Sequence, residues 1–314
     1  MSRGDADIAG IPRVDSGAAP RAPAIVVLLD GRRCPPGEAT ISVFDRGFLY
    51  GDSVFETLRT YGGVPFELDE HLRRLESSAA RVFIPLPLAL GPLRAEVLQA
   101  IAAAGNPESY VRLMITRGEG PLGLDPALAD RPRRVIIVQP LHAPPAEHYA
   151  AGIAVISYRT ERIVDATSAQ GAKIGNYLIS VLAMREARLA GAQEALIQDG
   201  RGRILEGASS NVFVVKQGAL VTPGEDTGIL AGITRARLLT LARELGLVIE
   251  LKALDREAVL AAEELFISSS IRELLAVVRL DGQTIGSGTP GPIYRRLLAA
   301  FRQSARGARP TSGA

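Results

Sequence analysis

Lysine is almost missing from this chain: Lys173, Lys216 and Lys252 are the only lysines among 36 basic residues in a sequence of 314. Cysteine is rarer still. Cys34 stands alone, which excludes an internal disulfide and makes a reducing, cytoplasmic setting the expectation. Three scattered histidines, His71, His142 and His148, supply no cluster at metal-ligand spacing, so no metal centre is expected. The apolar runs, such as AIVVLL at 24–29, are too short to span a bilayer, and the polar first residues lack the hydrophobic region of a signal peptide. The formal charge of +2 is close to balance and no basic run is interleaved with aromatic residues, so neither a membrane nor a nucleic acid is an expected partner.

What is present describes a globular enzyme-sized chain. With 47% hydrophobic and 22% charged residues it can bury two modest cores. Residues 1–22 and 306–314, rich in Gly, Ala, Pro, Ser and Arg, read as loose tails. A first domain is expected over 23–140. It opens with strands at 24–29 and 41–44 and a hairpin closed at Gly62 and Gly63, continues with two helices, and ends with strands at 109–117 and 134–139. The helices are marked by Leu72, Leu75, Ala79 and Val82 on one face and by Leu93, Val97, Ile101 and Ala104 on another. The proline-containing stretch 141–152 reads as a linker, and a second domain is expected over 153–305. There, strands separated by short turns at DGRG and KQG follow hairpin logic, so the second domain is expected to be mainly antiparallel. In TRARLLTLARELG, Thr234 is the expected N-cap and Gly246 the helix stop.

The scarcity of lysine makes each one worth questioning. Arginine keeps its proton near neutral pH, whereas a lysine amine can lose it and form an imine with an aldehyde cofactor. Lys216, beside Gln217 and Gly218 in a turn, and Lys252 fit exposed surface charges. Lys173 fits that reading poorly. Gly171, Ala172 and Gly175 leave room around its amine, and an apolar helical run follows.

Six ordered segments then agree with one another: FDRGFLYGDSVFETLR at 44–59, DEHLRRL at 69–75, GAKIGNYL at 171–178, LEGASSNVFVV at 205–215, GITR at 232–235 and FISSS at 266–270. In these the chain resembles the class IV, fold type IV pyridoxal-phosphate enzymes, a family of branched-chain aminotransferases, D-amino acid aminotransferases and aminodeoxychorismate lyases. The resemblance implies an α+β fold with a small α/β N-terminal domain and a larger C-terminal domain built on a mainly antiparallel pseudo-barrel. It implies pyridoxal 5'-phosphate as cofactor and a homodimer or higher homo-oligomer. Lys173 matches the family's imine-forming lysine, which also moves the proton at the substrate Cα. Glu206 matches the carboxylate that bonds the pyridine nitrogen, and Tyr177 the tyrosine beside the phenolic oxygen. Arg74, with Arg73 as the competing register, matches the phosphate arginine, and Ile233, Thr234 and Ser270 would complete the phosphate site.

The substrate pocket of the family maps onto Tyr50, Phe55, Arg59, Tyr110, Arg112 and Ile271. FETLR at 55–59 and YVRL at 110–113 are similar to the FEGxR and YxR of branched-chain enzymes, whereas Thr57 and ITRG at 115–118 are lyase-like. The implied reaction is transamination between an L-amino acid, of branched-chain type or glutamate, and a 2-oxo acid. Release of pyruvate from aminodeoxychorismate and D-amino acid transamination are the alternatives. The loop holding Ser270, Ile271 and Arg272 is where the family receives a substrate carboxylate on backbone N–H groups. Arg272 reads equally well as part of that loop or as a plain surface charge.

Overall fold

The computed structural model describes residues 24–160 and 169–307, so the segments read as tails lie almost wholly outside the described residues. In the first half the elements are β1 (Val26–Leu29), β2 (Arg32–Cys34), α1 (Arg46–Tyr50), β3 (Ser53–Tyr61), β4 (Val64–Pro65), α2 (Leu68–Arg81), α3 (Leu90–Ala104), β5 (Ser109–Thr116) and β6 (Arg133–Pro140). Their strands form one six-stranded antiparallel sheet in the order β2-β1-β6-β5-β3-β4. Side chains alternate across a strand, and the alternation decides what each face does. Val54 and Leu58 of β3, Val111, Leu113 and Ile115 of β5, and Ile136 and Val138 of β6 are buried with Leu72, Leu75, Leu93, Val97 and Ile101 of the two helices. Each such side chain contributes about 1.5–3 kcal/mol on leaving water. The opposite face therefore carries Phe55, Thr57 and Arg59 beside Met114, Arg112 and Tyr110, which lie directly across from them in the β3–β5 register.

The second half continues with α4 (Ala146–Ala151), β7 (Ile153–Arg159), α5 (Leu178–Leu189), β8 (Glu194–Gln198), β9 (Arg203–Gly207), β10 (Asn211–Lys216), β11 (Ala219–Thr222) and α6 (Ile233–Glu244). It ends with β12 (Ile249–Leu251), β13 (Leu254–Asp255), α7 (Arg256–Leu260), β14 (Glu264–Ser269), β15 (Glu273–Leu280), β16 (Gln283–Thr284) and α8 (Pro292–Gly307). A ten-stranded sheet runs β12-β11-β10-β14-β15-β7-β8-β9-β13, with β16 paired to β15. It is mainly antiparallel. The parallel pairs are β11 with β12, β7 with β8, and β15 with β7, and the first two are joined through α6 and α5, because a parallel neighbour needs a long crossover. A single apolar cluster gathers Ile153, Leu196, Ile204, Val212, Leu254, Leu265, Leu275 and Val277 from strands spread across the whole sheet. Only a sheet curled on itself can do that. The outer face of the curl packs Phe213 and Phe266, stacked at 5.2 Å, against Leu238 and Leu241 of α6 and Tyr294, Leu297 and Phe301 of α8.

Within 141–152, the stretch read as a linker, Ala146–Ala151 form the short helix α4. Two local expectations are corrected. No strand forms at 41–44: Ile41, Val43 and Phe44 are exposed and β1 pairs instead with β2 and β6. The N-cap of α6 is Gly232, and Thr234 sits inside the first turn, buried.

Candidate active site

The floor of the site is β3. The amide of Phe55 donates to Lys173 O at 3.1 Å and the amide of Gly175 to Ser53 O at 2.8 Å, so the segment around Lys173 lies along the strand like a short extra partner. This requires Gly175, since a Cβ there would stand 2.1 Å from Ser53 Oγ. The Lys173 amine donates to Tyr177 Oη at 3.0 Å and lies 4.5 Å from the centre of the Phe55 ring. The rings of Phe55 and Tyr177 meet edge to face at 5.0 Å, and the Arg112 guanidinium lies over the Phe55 ring at 4.0 Å. Lys173, Tyr177, Phe55 and Arg112 are thus one group.

The wall is α2, whose polar stripe His71, Arg74 and Ser78 follows helical spacing. Ser78 Oγ accepts the Lys173 amide at 3.1 Å. Arg74 Nε and Nη2 donate to the two oxygens of Glu56 at 2.8 and 2.6 Å, and its Nη1 donates to Ala231 O at 2.8 Å. Arg73, by contrast, is exposed and bonded to Glu70, which selects Arg74 as the inward register. Glu56 is completely buried, and His71 Nδ1 lies 2.7 Å from its second oxygen. Burial alone would raise the Glu56 pKa. The charge of Arg74 and the hydrogen bonds from Arg74 and His71 reverse that and hold it at about 2.

Facing this wall is the turn 230–232 that leads into α6. Leu230 N donates to Glu206 Oε2 at 3.0 Å, Leu230 O accepts from Asn211 Nδ2 at 2.9 Å, and Ala231 O accepts from Arg74. Glu206, Arg74 and the N-terminus of α6 therefore meet on three consecutive residues. The helix start has no side-chain cap, which leaves first-turn amides directed outward with the positive end of the helix dipole.

At the far end, Ser270, Ile271 and Arg272 form the loop between β14 and β15, and Ile271 O accepts from Arg59 Nη1 at 3.3 Å. Arg59 is buried, stacked over Tyr61 at 4.3 Å and paired with Glu273 at 3.5 Å. Tyr110, half-buried, faces Arg59 across the strand pair. Arg272 is not a surface charge: its guanidinium binds Glu194 and Ser209. Tyr50 stands apart, 37% exposed, with its hydroxyl accepting the Gly123 amide at 3.2 Å.

Pyridoxal phosphate can be tested against these groups. A phosphate needs positive charge and several converging donors. Three of the five N–H groups of Arg74 are taken by Glu56 and Ala231, which leaves two beside an uncapped helix start. Gly232 keeps that start open, because a Cβ there would lie 1.9 Å from Asn211 Oδ1. The buried Ser268 Oγ, paired in register with Asn211, has no hydrogen-bond partner among the described residues. The residues fit the group. Sequence reasoning singled out Lys173, Arg74, Tyr177 and Glu206 but passed over Glu56 and His71, which hold Arg74, Ser78, which holds the Lys173 backbone, Asn211, which holds the Leu230 turn, and Glu194, which holds Arg272. One signal was available: Glu56 alternates with Val54 and Leu58 onto an apolar face, where a charge must have a buried partner.

A lysine amine set against two aromatic rings, an uncapped helix start and a half-buried arginine between two sheets fit one class, a pyridoxal-phosphate enzyme of aminotransferase architecture. Comparison with known proteins makes this particular. The profile of the amino-transferase class IV family matches residues 53–280. The branched-chain-amino-acid aminotransferase of Escherichia coli is 34% identical over 84% of this chain and 87% of its own. The crystal structure of the Escherichia coli branched-chain enzyme superposes with a TM-score of 0.86 at 32% identity, covering 92% of this chain and 97% of that one. The D-alanine aminotransferase of Bacillus licheniformis is 36% identical over 88% of this chain and 96% of its own. The 4-amino-4-deoxychorismate lyase structure from Pseudomonas aeruginosa superposes with a TM-score of 0.78 at 34% identity, over 89% and 99% of the two chains. The chain belongs to the class IV aminotransferases, and its cofactor is pyridoxal 5'-phosphate.

Proposed function

We propose that the protein transfers an amino group between an L-amino acid with an aliphatic side chain, or glutamate, and a 2-oxo acid, as a branched-chain type transaminase. The observation that carries this reading is the face of β3 and β5. Phe55, Arg59, Tyr110 and Arg112, the residues similar to those of branched-chain enzymes, share one surface of the sheet, and Lys173 is bonded to the same strand. The apolar ring of Phe55 lies against the amine that does the chemistry.

When bound, pyridoxal phosphate supplies an aldehyde that takes up the amino group and a ring that withdraws electrons from the substrate Cα. Arg74, with the amides of Ile233 and Thr234 and the hydroxyl of Ser270, would hold its phosphate. Glu206, whose carboxylate the Leu230 amide orients, would bond the ring nitrogen, and Tyr177 would serve the phenolic oxygen. Lys173 takes the proton from the substrate Cα and returns it in the reverse half of the exchange. Tyr177 keeps that amine in place, and Phe55 and Tyr177 shield it from water. The amides of Ser270 and Ile271, with Ile271 at the loop's tip, receive the substrate carboxylate, while Arg112 and Tyr110 border the side-chain end of the pocket. Tyr50 stands apart from this group within a single chain, and its place in the substrate pocket rests on the resemblance alone.

We place the working unit as a homodimer. Leu178, Ile179, Val181 and Leu182 at the start of α5, 41–62% exposed, form an apolar surface that a second copy would cover. The free, half-buried Cys34 accords with a reducing cytoplasm.

A lyase acting on aminodeoxychorismate is the second reading, favoured by Thr57, which shares the site face with Arg112. Adding L-leucine, L-glutamate or D-alanine to the loaded protein and following the cofactor spectrum separates the two. Conversion to the pyridoxamine form with an L-amino acid is expected. No conversion by any donor, together with pyruvate release from aminodeoxychorismate, would establish the lyase instead.

A further inference from the structure

The loop at 270–272 is held from behind on every side. Ile271 O accepts from Arg59 Nη1 at 3.3 Å and Arg272 O accepts from Tyr149 Oη at 3.1 Å. Arg272 N and Nε both bond Ser269 Oγ at 3.2 Å. With the carbonyls of Ile271 and Arg272 fixed outward, the amides of Ser270 and Ile271 have no acceptor among the described residues. Directly after the loop, Glu273 takes a left-handed φ of 57° without being glycine. Such backbone persists only where its surroundings over-determine it, and here Tyr61, Arg59 and Arg302 all bind the Glu273 carboxylate.

The strongest tie is the Arg272 side chain. It reaches the start of β8 and the turn between β9 and β10, where Nη1 meets the fully buried Glu194 and Nη2 reaches Ser209 O and Oγ at 3.2 and 2.9 Å. The other oxygen of Glu194 accepts the Ser209 amide at 3.0 Å. A carboxylate buried this deeply cannot give up its cation cheaply, so Arg272 is pinned, and it pins the loop to the segment that also carries Glu206.

We propose that Arg272 is a positioning residue that sets specificity for a carboxylate-bearing donor. By anchoring to Glu194 and Ser209 it holds the amides of Ser270 and Ile271 as a preformed anion site, while its own charge takes no part in substrate contact. The inference rests on the transaminase reading above and names the residue that makes its carboxylate site rigid.

The test uses the full-length, cofactor-loaded protein and 4-methylvaleric acid, an aliphatic carboxylate without an amino group. Its Kd is read from the cofactor absorbance, alongside KM and single-turnover rates with L-leucine. Arg272→Ala should weaken 4-methylvaleric acid and raise KM for L-leucine by at least tenfold, with the saturated single-turnover rate within about threefold and cofactor occupancy unchanged. Arg272→Lys should recover part of the loss, because one ammonium still reaches Glu194. Since Arg272→Ala strands a buried carboxylate and can impair folding, the paired variant Glu194→Gln with Arg272→Met removes both charges at similar volume and should show the same weakening. Binding within twofold of wild type in either folded variant, or a loss confined to kcat, overturns the proposal. If wild type itself gives no spectral response to L-leucine, L-glutamate or D-alanine the transaminase reading fails; if wild type responds and the variants match it, only the role of Arg272 fails.

Discussion

Lys173 is an amine in a constrained place: bonded to Tyr177, laid against Phe55, and carried on a segment whose backbone is hydrogen-bonded to β3 and to Ser78. Its surroundings do not depend on the amine itself, since Phe55 and Tyr177 pack on each other. Lys173→Ala should therefore keep the fold and retain bound cofactor while losing turnover by about 10³-fold or more, the scale on which a positioned proton carrier acts. Paired measurements of L-leucine transamination and of cofactor absorbance check this, and near-normal activity would remove Lys173 from the mechanism. At this scale the sequence was informative where chemistry demands a residue type. A rare lysine between small residues and a carboxylate in EGASSN were legible. Glu56 and Glu194 were not, because nothing local distinguishes a charge that solvent will screen from one that Arg74 or Arg272 will meet across the fold.

Among the elements, α6 is the one proposed to seat the phosphate, on an uncapped first turn. Its start is shaped by Gly232, whose φ of −70° any residue could adopt, so the need for glycine is one of space. Gly232→Ala puts a methyl 1.9 Å from Asn211 Oδ1 and must displace the amide that holds Leu230 O. Forcing such a contact costs about 1–3 kcal/mol, and the displaced turn is the one that also binds Glu206 and Arg74. The expected result is a tenfold or larger rise in the Kd for pyridoxal phosphate with a lowered Tm, measured by cofactor titration and thermal melting. Unchanged cofactor affinity would show that this turn is not the phosphate seat. Helices were the readable elements because their apolar period runs through α2, α3 and α6. The apolar residues at 41–44 misled because a strand exists only with a partner, and β1 already had two. Thr234 missed the cap because glycine was needed two residues earlier.

For the whole molecule, two sheets must be held at a fixed distance across the site, and Glu56 does much of this. It binds Arg74, and Arg74 in turn binds Ala231 of the second sheet's turn. Its folded pKa of about 2 lies below the reference of 4.5. A depressed pKa gives stability that is fully present above the reference value and is lost as pH falls toward the folded one. The difference corresponds to about 3 kcal/mol, so urea midpoints should drop between about pH 4.5 and pH 2, and Glu56→Gln should flatten that drop. Equal slopes in the two proteins would remove Glu56 from the acid response.

The apolar surface on α5 belongs to the same scale. Ala183 and Ala187 bury one side of the helix, while Leu178 at 62% exposure, Val181 at 60% and Leu189 at 63% are left outside. Large side chains cost free energy in water, and this helix begins next to Tyr177, so whatever covers it also bears on the site. A second copy of the chain would cover this surface. Replacing Leu178 and Val181 together by aspartate should leave the monomer fold intact, because neither is part of a core cluster. It should shift the sedimentation coefficient from dimer to monomer and lower turnover in proportion to the dimer lost. A wild-type protein that sediments as a monomer at micromolar concentration, with full activity, would mean that the site is complete within one chain and that this face has another use.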